Sequence, residues 1–302
     1  MSKYILNQII NEELSLSGEV HSETIKIWKE LLSILPNIST DIYSYYDKNN
    51  NEIQCNGVKF GYYSTKVMIY NEPIRICINL YNFITQEAFN EYSTKINYIG
   101  ASSVYSSIMK MITLTIPMIS GSIYMKETLY ENLQHELEHI YQGKQGSKYI
   151  TVSDGDYANA RGLLYSTDKD ISNLALIIYL SNEAEQDAFV NGLYAYLETQ
   201  EEPMPKLDWN IIKNSDAYIH YNNIKTIINK LQNPDSELKD KCNNYFNKSY
   251  KQLLNIAKNV EQRFIRKIGK ILTKFIKDNN SKYNVMEYYS GKINTIPNYF
   301  IN

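Results

Sequence analysis

The residues best suited to chemistry form the pattern H-E-x-x-H, His135-Glu136-Leu137-Glu138-His139, which contains two of the four histidines of the chain. On a helix, residues four apart project from the same face, one turn from each other. Two neutral imidazoles at this spacing can bind one zinc ion. The adjacent Glu136 would lie beside the metal, where it can take a proton from a zinc-bound water. The pattern therefore predicts His135 and His139 as zinc ligands and Glu136 as catalytic base.

The helix that would carry this pattern has its apolar residues on the side opposite the histidines. This apolar stripe consists of Leu129, Tyr130, Leu133, Leu137 and Ile140. Such a helix can pack its back against a sheet while it presents the histidines on the other side. Gly143 is the predicted C-terminal end of the helix.

A hydrolytic zinc site needs a third protein ligand and an open position for water. Residues 181–197 predict a helix with Asn182 as its N-cap and Glu185 three residues later, as in a capping box. Glu183 and Asp187 share one face of this helix, so Glu183 is the predicted third ligand. Asp187 is then predicted to accept a hydrogen bond from a liganding histidine. Glu185 projects about 160° away from Glu183 and is the alternative ligand.

These motifs resemble those of known zinc peptidases. HELEH followed by N-E-x-x-x-D resembles the gluzincin metallopeptidases, the thermolysin-like branch of the zincins. The string EAEQDAF at 183–189 is also similar to the E-x-E-A-N-x-F-A pattern of ImmA/IrrE-type regulatory proteases. The resemblance covers residues 109–197 and implies zinc-dependent hydrolysis of a peptide or protein substrate, with His135, His139 and Glu183 as ligands.

The same resemblance makes two further suggestions. The strand ITLTIPMI at 112–119 would be the sheet edge to which an extended substrate adds. His220 would be a candidate for stabilising the oxyanion, as would two of the 28 tyrosines, Tyr157 and Tyr194, which the sequence does not distinguish. Glu183 follows His139 by 44 positions, and Gln186 stands where the regulatory proteases have alanine. These departures leave the subfamily open.

The surrounding elements predict an α+β fold. Residues 22–35 have helical apolar spacing before Pro36, residues 40–81 alternate as strands do, and 109–119 is a further strand. From about 124 to 278 the pattern is mostly helical. These elements predict a zincin-like fold in which a small antiparallel or mixed sheet packs on the H-E-x-x-H helix.

The predicted organisation has three parts. An N-terminal helical segment (1–39) precedes the zincin-like metallopeptidase domain (40–200), and a helical C-terminal lobe (201–302) follows. Two prolines, Pro203 and Pro205, indicate the second boundary.

The C-terminal lobe is strongly basic. Residues 221–280 contain thirteen Lys and Arg against five Asp and Glu, while the whole chain carries a net charge of -2. The segment 249–278 predicts an amphipathic helix with one cationic face. We interpret this face as one that packs on acidic residues of the same chain, and the alternative is a contact with nucleic acid or an anionic surface.

Composition limits the remaining possibilities. The three cysteines are widely spaced, which predicts free thiols rather than a disulfide framework or a zinc ribbon. The N-terminus does not have the pattern of a secretory signal, and apolar runs are far shorter than the ~18 residues of a membrane span. We therefore expect a cytoplasmic protein, or one in a particle assembled there. The many Tyr, Ile, Asn and Lys residues indicate an AT-rich bacterium or bacteriophage.

A second functional class stays open at this point. A zincin-shaped structural or binding protein without catalysis, such as a phage virion or accessory component, would also contain these motifs. The abundance of tyrosine favours this alternative, because tyrosine is common at interfaces. The sequence indicates no oligomeric state.

Overall fold

A computed structural model describes residues 18–46, 50–92, 102–106, 109–145, 154–199 and 209–278. The chain is of the α+β class, as predicted. The described residues form two compact units, and the division between them falls between Tyr141 and Gln142. The predicted boundary at Pro203 and Pro205 lies outside the described residues.

The first unit begins with helix α1 (Gly18–Ile34), which a short 3-10 turn (Leu35–Asn37) ends at Pro36. Six strands and one short helix follow: β1 (Asp41–Tyr46), β2 (Glu52–Ile69), β3 (Glu72–Phe83), α2 (Gln86–Tyr92), β4 (Ser102–Ser106), β5 (Met111–Ile119) and β6 (Ser122–Ile123). Helix α3 (Lys126–Gln145) then carries the chain from the first unit into the second.

The strands form one mixed sheet in the order β1-β2-β3-β5-β4, with β6 paired to β5. All pairs are antiparallel except β3 with β5, which run parallel. Two-residue turns close two of the hairpins, because positive φ angles at Tyr70 and Asn71, and at Ser120 and Gly121, fit the twist of the flanking strands. The small antiparallel or mixed sheet predicted from the alternation is thus present.

One face of the sheet supplies the aliphatic core of this unit. On β3 and β5, alternate residues are almost completely buried and pair across the parallel ladder: Ile76 with Ile112, Ile78 with Leu114, and Leu80 with Ile116. Period-two alternation of isoleucine and leucine is what places them together on this face.

Strand β5 is not an edge strand, so the expectation that ITLTIPMI offers a free edge is wrong for this structure. Residues Met111–Thr115 pair with β3 on one side and with β4 on the other. The segment 102–106 returns antiparallel to β5 and covers the backbone groups that an added strand would use.

The second unit is helical. After the end of α3 it contains α4 (Asp154–Leu163), α5 (Lys169–Tyr179), α6 (Glu183–Glu198), α7 (Trp209–Ile212), α8 (Asp216–Gln232), α9 (Ser236–Phe246) and α10 (Tyr250–Asp278). Helix α10 packs against α5, α6 and α8. The predicted apolar stripe of α10 is buried along its whole length: Leu253, Ala257, Val260, Phe264, Ile268, Ile271 and Phe275.

Candidate metal centre

Helix α3 positions the two histidines as the H-E-x-x-H spacing predicts. The Nε2 atoms of His135 and His139 lie 3.0 Å apart, and the rings stand almost perpendicular at 86°. Two nitrogens bound to one tetrahedral zinc at about 2.1 Å would be separated by about 3.4 Å. The separation of these two nitrogens is therefore close to that of a shared metal ion.

The apolar stripe of α3 is buried, as predicted. Leu129, Leu133 and Leu137 have no exposed surface, and Tyr130 packs edge-on against Trp28 of α1 with ring centroids 5.2 Å apart. Gly143 does not end the helix, which continues to Gln145. A glycine in a helix is tolerated when nothing requires the left-handed conformation, and Gly143 has no positive φ.

The opposite side of α3 is buried as well, which the simple amphipathic pattern does not predict. His135 is only 8% exposed, and four other polar side chains along this helix are also buried: Glu131, Gln134, Glu138 and Gln142. The Thr24 hydroxyl of α1 donates a hydrogen bond to Gln134 Oε1 at 2.5 Å. Glu136 itself is half-buried, beside the two ligand candidates.

Helix α6 begins at the predicted N-cap, because the Asn182 side chain accepts a hydrogen bond from the Ala184 amide at 3.0 Å. At this same end the Gln142 side chain, near the end of α3, donates to the Ala184 carbonyl at 3.1 Å. Ala184 lies between the two acids that the sequence offers as third ligand, Glu183 and Glu185.

Glu185 is a buried acid held by two phenols. Its side chain is 5% exposed, and it accepts the Tyr157 hydroxyl at Oε1 and the Tyr179 hydroxyl at Oε2, both at 2.5 Å. Burial raises the pKa of Tyr157 far above its ordinary value, and the negative charge of Glu185 adds to the increase. Tyr157 therefore stays protonated and can donate this bond at any physiological pH.

Glu183 and Asp187 share a face of α6, as predicted, but this face meets α10. Arg263 lies 2.7 Å from Glu183 Oε1, and Lys267 lies 2.6 Å from Asp187 Oδ1. Burial raises the pKa of Asp187, while Lys267 opposes the increase. The structure thus places both acids against cations of α10, in agreement with the interpretation that its basic face packs on acidic residues of the same chain.

Three potential ligands come together near the H-E-x-x-H motif. His135, His139 and Glu185 each offer one ligand atom, and these atoms lie within 4.8 Å of one another. Two imidazoles and one carboxylate are the donor set of many hydrolytic zinc sites, so the residues fit a zinc ion. The predicted ligand Glu183 is not in this group, and the alternative ligand Glu185 is.

His220 of α8 lies in an apolar setting. Its ring packs edge-on against Phe189 of α6 with centroids 4.4 Å apart, and burial lowers the pKa of His220 to about 4. The imidazole is therefore neutral at physiological pH. Its suggested role at the oxyanion stays a prediction.

The sequence did not predict that Tyr157 and Tyr179 would contact Glu185. Tyr157 was one of several candidate oxyanion donors, and Tyr179 was part of an apolar run. The other candidate, Tyr194, donates to Asp278 Oδ2 at 3.0 Å. No sequence signal distinguishes these roles, because phenols are abundant and their partners are distant along the chain.

No family model, curated protein or solved structure gives a significant match to this chain. Within the helices that the structure describes, none combines the length and apolar character needed to cross a membrane. The three cysteines Cys55, Cys77 and Cys242 are buried thiols that form no disulfide, as predicted.

Proposed function

We propose that this protein is a zinc-dependent peptidase in which His135, His139 and Glu185 bind the metal and Glu136 is the general base. The observation that carries the proposal is the grouping of the two H-E-x-x-H histidines with a buried carboxylate. The HExxH pattern alone could be accidental, but a third ligand of the right type beside both imidazoles gives the three-ligand set of a hydrolytic site.

Three residues would bind the metal, and a fourth would transfer the proton. His135 and His139 would hold the ion, and Glu185 would complete the set with a negative charge. A bound zinc ion lowers the pKa of its water and polarises the carbonyl of the substrate. Glu136, adjacent to His135, would accept a proton from the attacking water at its carboxylate and pass it to the leaving amine.

The identity of the acid is the part of this proposal that differs from the sequence-based expectation. Glu183 is engaged by Arg263, whereas Glu185 accepts hydrogen bonds from two neutral phenols. A carboxylate that is already paired with a guanidinium has its charge compensated, so it gains less from binding a metal ion. We therefore favour Glu185 and retain Glu183 as the alternative ligand.

The proposal is tested first by metal content and then by Glu136→Gln. Protein purified without chelators should contain about one zinc per chain by elemental analysis. The wild type should cleave members of a broad peptide library. Glu136→Gln should lower kcat by at least about 100-fold while it leaves zinc content and thermal unfolding unchanged, because it removes only the base. Glu127→Gln, in the first turn of the same helix, is the matched control and should keep full activity.

Each result assigns the protein to a different class. A chain that holds no zinc, and gains none on dialysis against zinc, would contradict the metal site. Zinc binding without cleavage of any library member would instead favour the structural or binding protein that carries a zincin-like motif. Cleavage that survives Glu136→Gln would contradict the role of Glu136.

A further inference from the structure

We infer that Tyr157 and Tyr179 form a positioning pair that fixes Glu185 as a metal ligand, an inference that rests on the proposed function. The pair is defined by the two phenols that donate to the two oxygens of this carboxylate. In this inference neither tyrosine binds the metal or takes part in the reaction. Their contribution is to set the orientation of the carboxylate and to keep its charge available.

The geometry uses both oxygens of Glu185. A carboxylate has about four lone-pair directions, and the two hydroxyls occupy one on each oxygen. Because the two donors come from different helices, α4 and α5, they prevent the carboxylate from rotating about its terminal bond.

The type of donor matters as much as its position. A phenol stabilises the carboxylate anion by hydrogen bonding but adds no positive charge. An arginine or lysine at the same place would neutralise the ligand and repel a divalent cation. Two residues away, Glu183 has this second kind of neighbour in Arg263. Glu185 thus has two neutral donors on its carboxylate, whereas Glu183 faces a cation.

Packing holds the hydroxyls in place. The rings of Tyr157 and Tyr179 are stacked, with centroids 5.4 Å apart and planes inclined by 19°. Tyr179 also makes an edge contact with Phe189, which follows Glu185 by one helical turn. The ring positions therefore depend on aromatic contacts within this unit, and removal of a hydroxyl should leave those contacts intact.

The test is to remove the hydroxyls and measure metal binding directly. Tyr157→Phe and Tyr179→Phe should each weaken zinc affinity about tenfold, and the double variant up to about 100-fold, as is typical for groups that orient a metal ligand. The visible absorption of the cobalt-substituted protein should also change, since the cobalt bands report the arrangement of the ligands. Tyr194→Phe is the matched control, because it removes a phenol-to-carboxylate hydrogen bond to Asp278, which is not in the group of potential ligands.

The results separate this inference from the proposed function. If the wild type binds zinc and the two phenylalanine variants bind it as tightly as Tyr194→Phe does, with the same cobalt spectrum, the positioning pair is contradicted and the metal site stands. If the wild type binds no zinc, both proposals fall. Thermal unfolding of each variant shows whether the helical unit is intact, and the two single substitutions give independent readings if the double variant does not fold.

Discussion

The two sides of helix α6 place acids only two residues apart in very different surroundings. On the cation-facing side, Glu183 and Asp187 pair with Arg263 and Lys267 of α10. On the tyrosine-facing side, Glu185 is buried and receives two phenol hydroxyls. Glu183, by contrast, keeps 37% of its side chain exposed.

The difference shows that the neighbours of an acid, more than its place in a motif, decide what it can do. An acid beside a cation has its charge compensated and contributes to packing between helices. A buried acid held by neutral donors keeps its negative charge, and its burial is costly unless hydrogen bonds or a positive group stabilise it. A metal ion held by two histidines would supply that positive charge.

The largest expected effect contrasts the two sides directly. Glu185→Gln should weaken zinc affinity by about 100-fold or more, because it removes an anionic ligand. Glu183→Gln should leave zinc affinity nearly unchanged and lower stability by less than about 1 kcal/mol, as expected for a partly exposed ion pair. Zinc dissociation constants at neutral pH, measured by competition with a chelating dye, give the comparison.

If the order of these two effects were reversed, the evidence would favour Glu183, the ligand predicted from the sequence. If Glu183→Gln were the damaging substitution, α6 would have to present its cation-facing side to the metal, and the contacts with α10 would have to open. Equal losses of zinc affinity from both substitutions would mean that neither Glu183 nor Glu185 alone is the acidic ligand.

The second effect concerns the pH dependence of stability on the tyrosine-facing side, where Phe189 packs against His220. Burial lowers the pKa of His220 to about 4 in the folded chain, while a histidine in the unfolded chain titrates near ~6.5. The unfolded chain therefore binds more protons between these values. The free energy of unfolding should fall as pH drops through this window, by on the order of 3 kcal/mol from this residue.

His220→Phe should remove this part of the pH dependence while it keeps a ring against Phe189. Urea unfolding between about pH 7 and pH 4, in the presence of a chelator so that metal binding does not contribute, measures the slope for both proteins. An identical slope would show that His220 is accessible to protons in the folded state.

The smallest effect tests the cation-facing side alone. Asp187→Asn should lower the free energy of unfolding by about 1–2 kcal/mol, because the largely buried Lys267 then has no charged partner at this position. Asp187→Asn combined with Lys267→Met should recover most of that loss, since both charges are gone. Zinc affinity should be the same in all three proteins, and a change in it would bring Asp187 back into the metal site.

Much of the fold could be predicted from the sequence. Alternating isoleucines indicated the strands of the sheet, and the long apolar stripe indicated α10, because both periods follow from burial on one side of an element. The parallel pairing of β3 with β5 could not be predicted, since alternation fixes which face is buried but not which strand is the neighbour. That pairing is also what allows β4 to cover the supposed free edge of β5.

The site was predictable in part for similar reasons. Helical spacing correctly placed His135 beside His139 on α3. It also correctly placed Glu183 and Asp187 on one face of α6. It could not tell which of the two acids joins the histidines in one group of potential ligands, because this depends on packing between distant segments. One sequence signal did indicate the partner of the face with Glu183 and Asp187. A helix as basic as 249–278 needs acidic partners, and this face carries two acids one turn apart. Glu185, which looked like part of a capping box, instead binds the hydroxyls of Tyr157 and Tyr179.

The parallel pairing of β3 and β5 also bears on the order in which the chain folds. β2 and β3 form a hairpin closed by Tyr70 and Asn71, so their contacts are local and form early. Strand β5 can join β3 only after residues 84–110 have looped back, and the entropy of closing that loop slows the step. Because α3 follows β5 after only a short hairpin, we expect the two histidines to reach their places late, once this slow docking is complete.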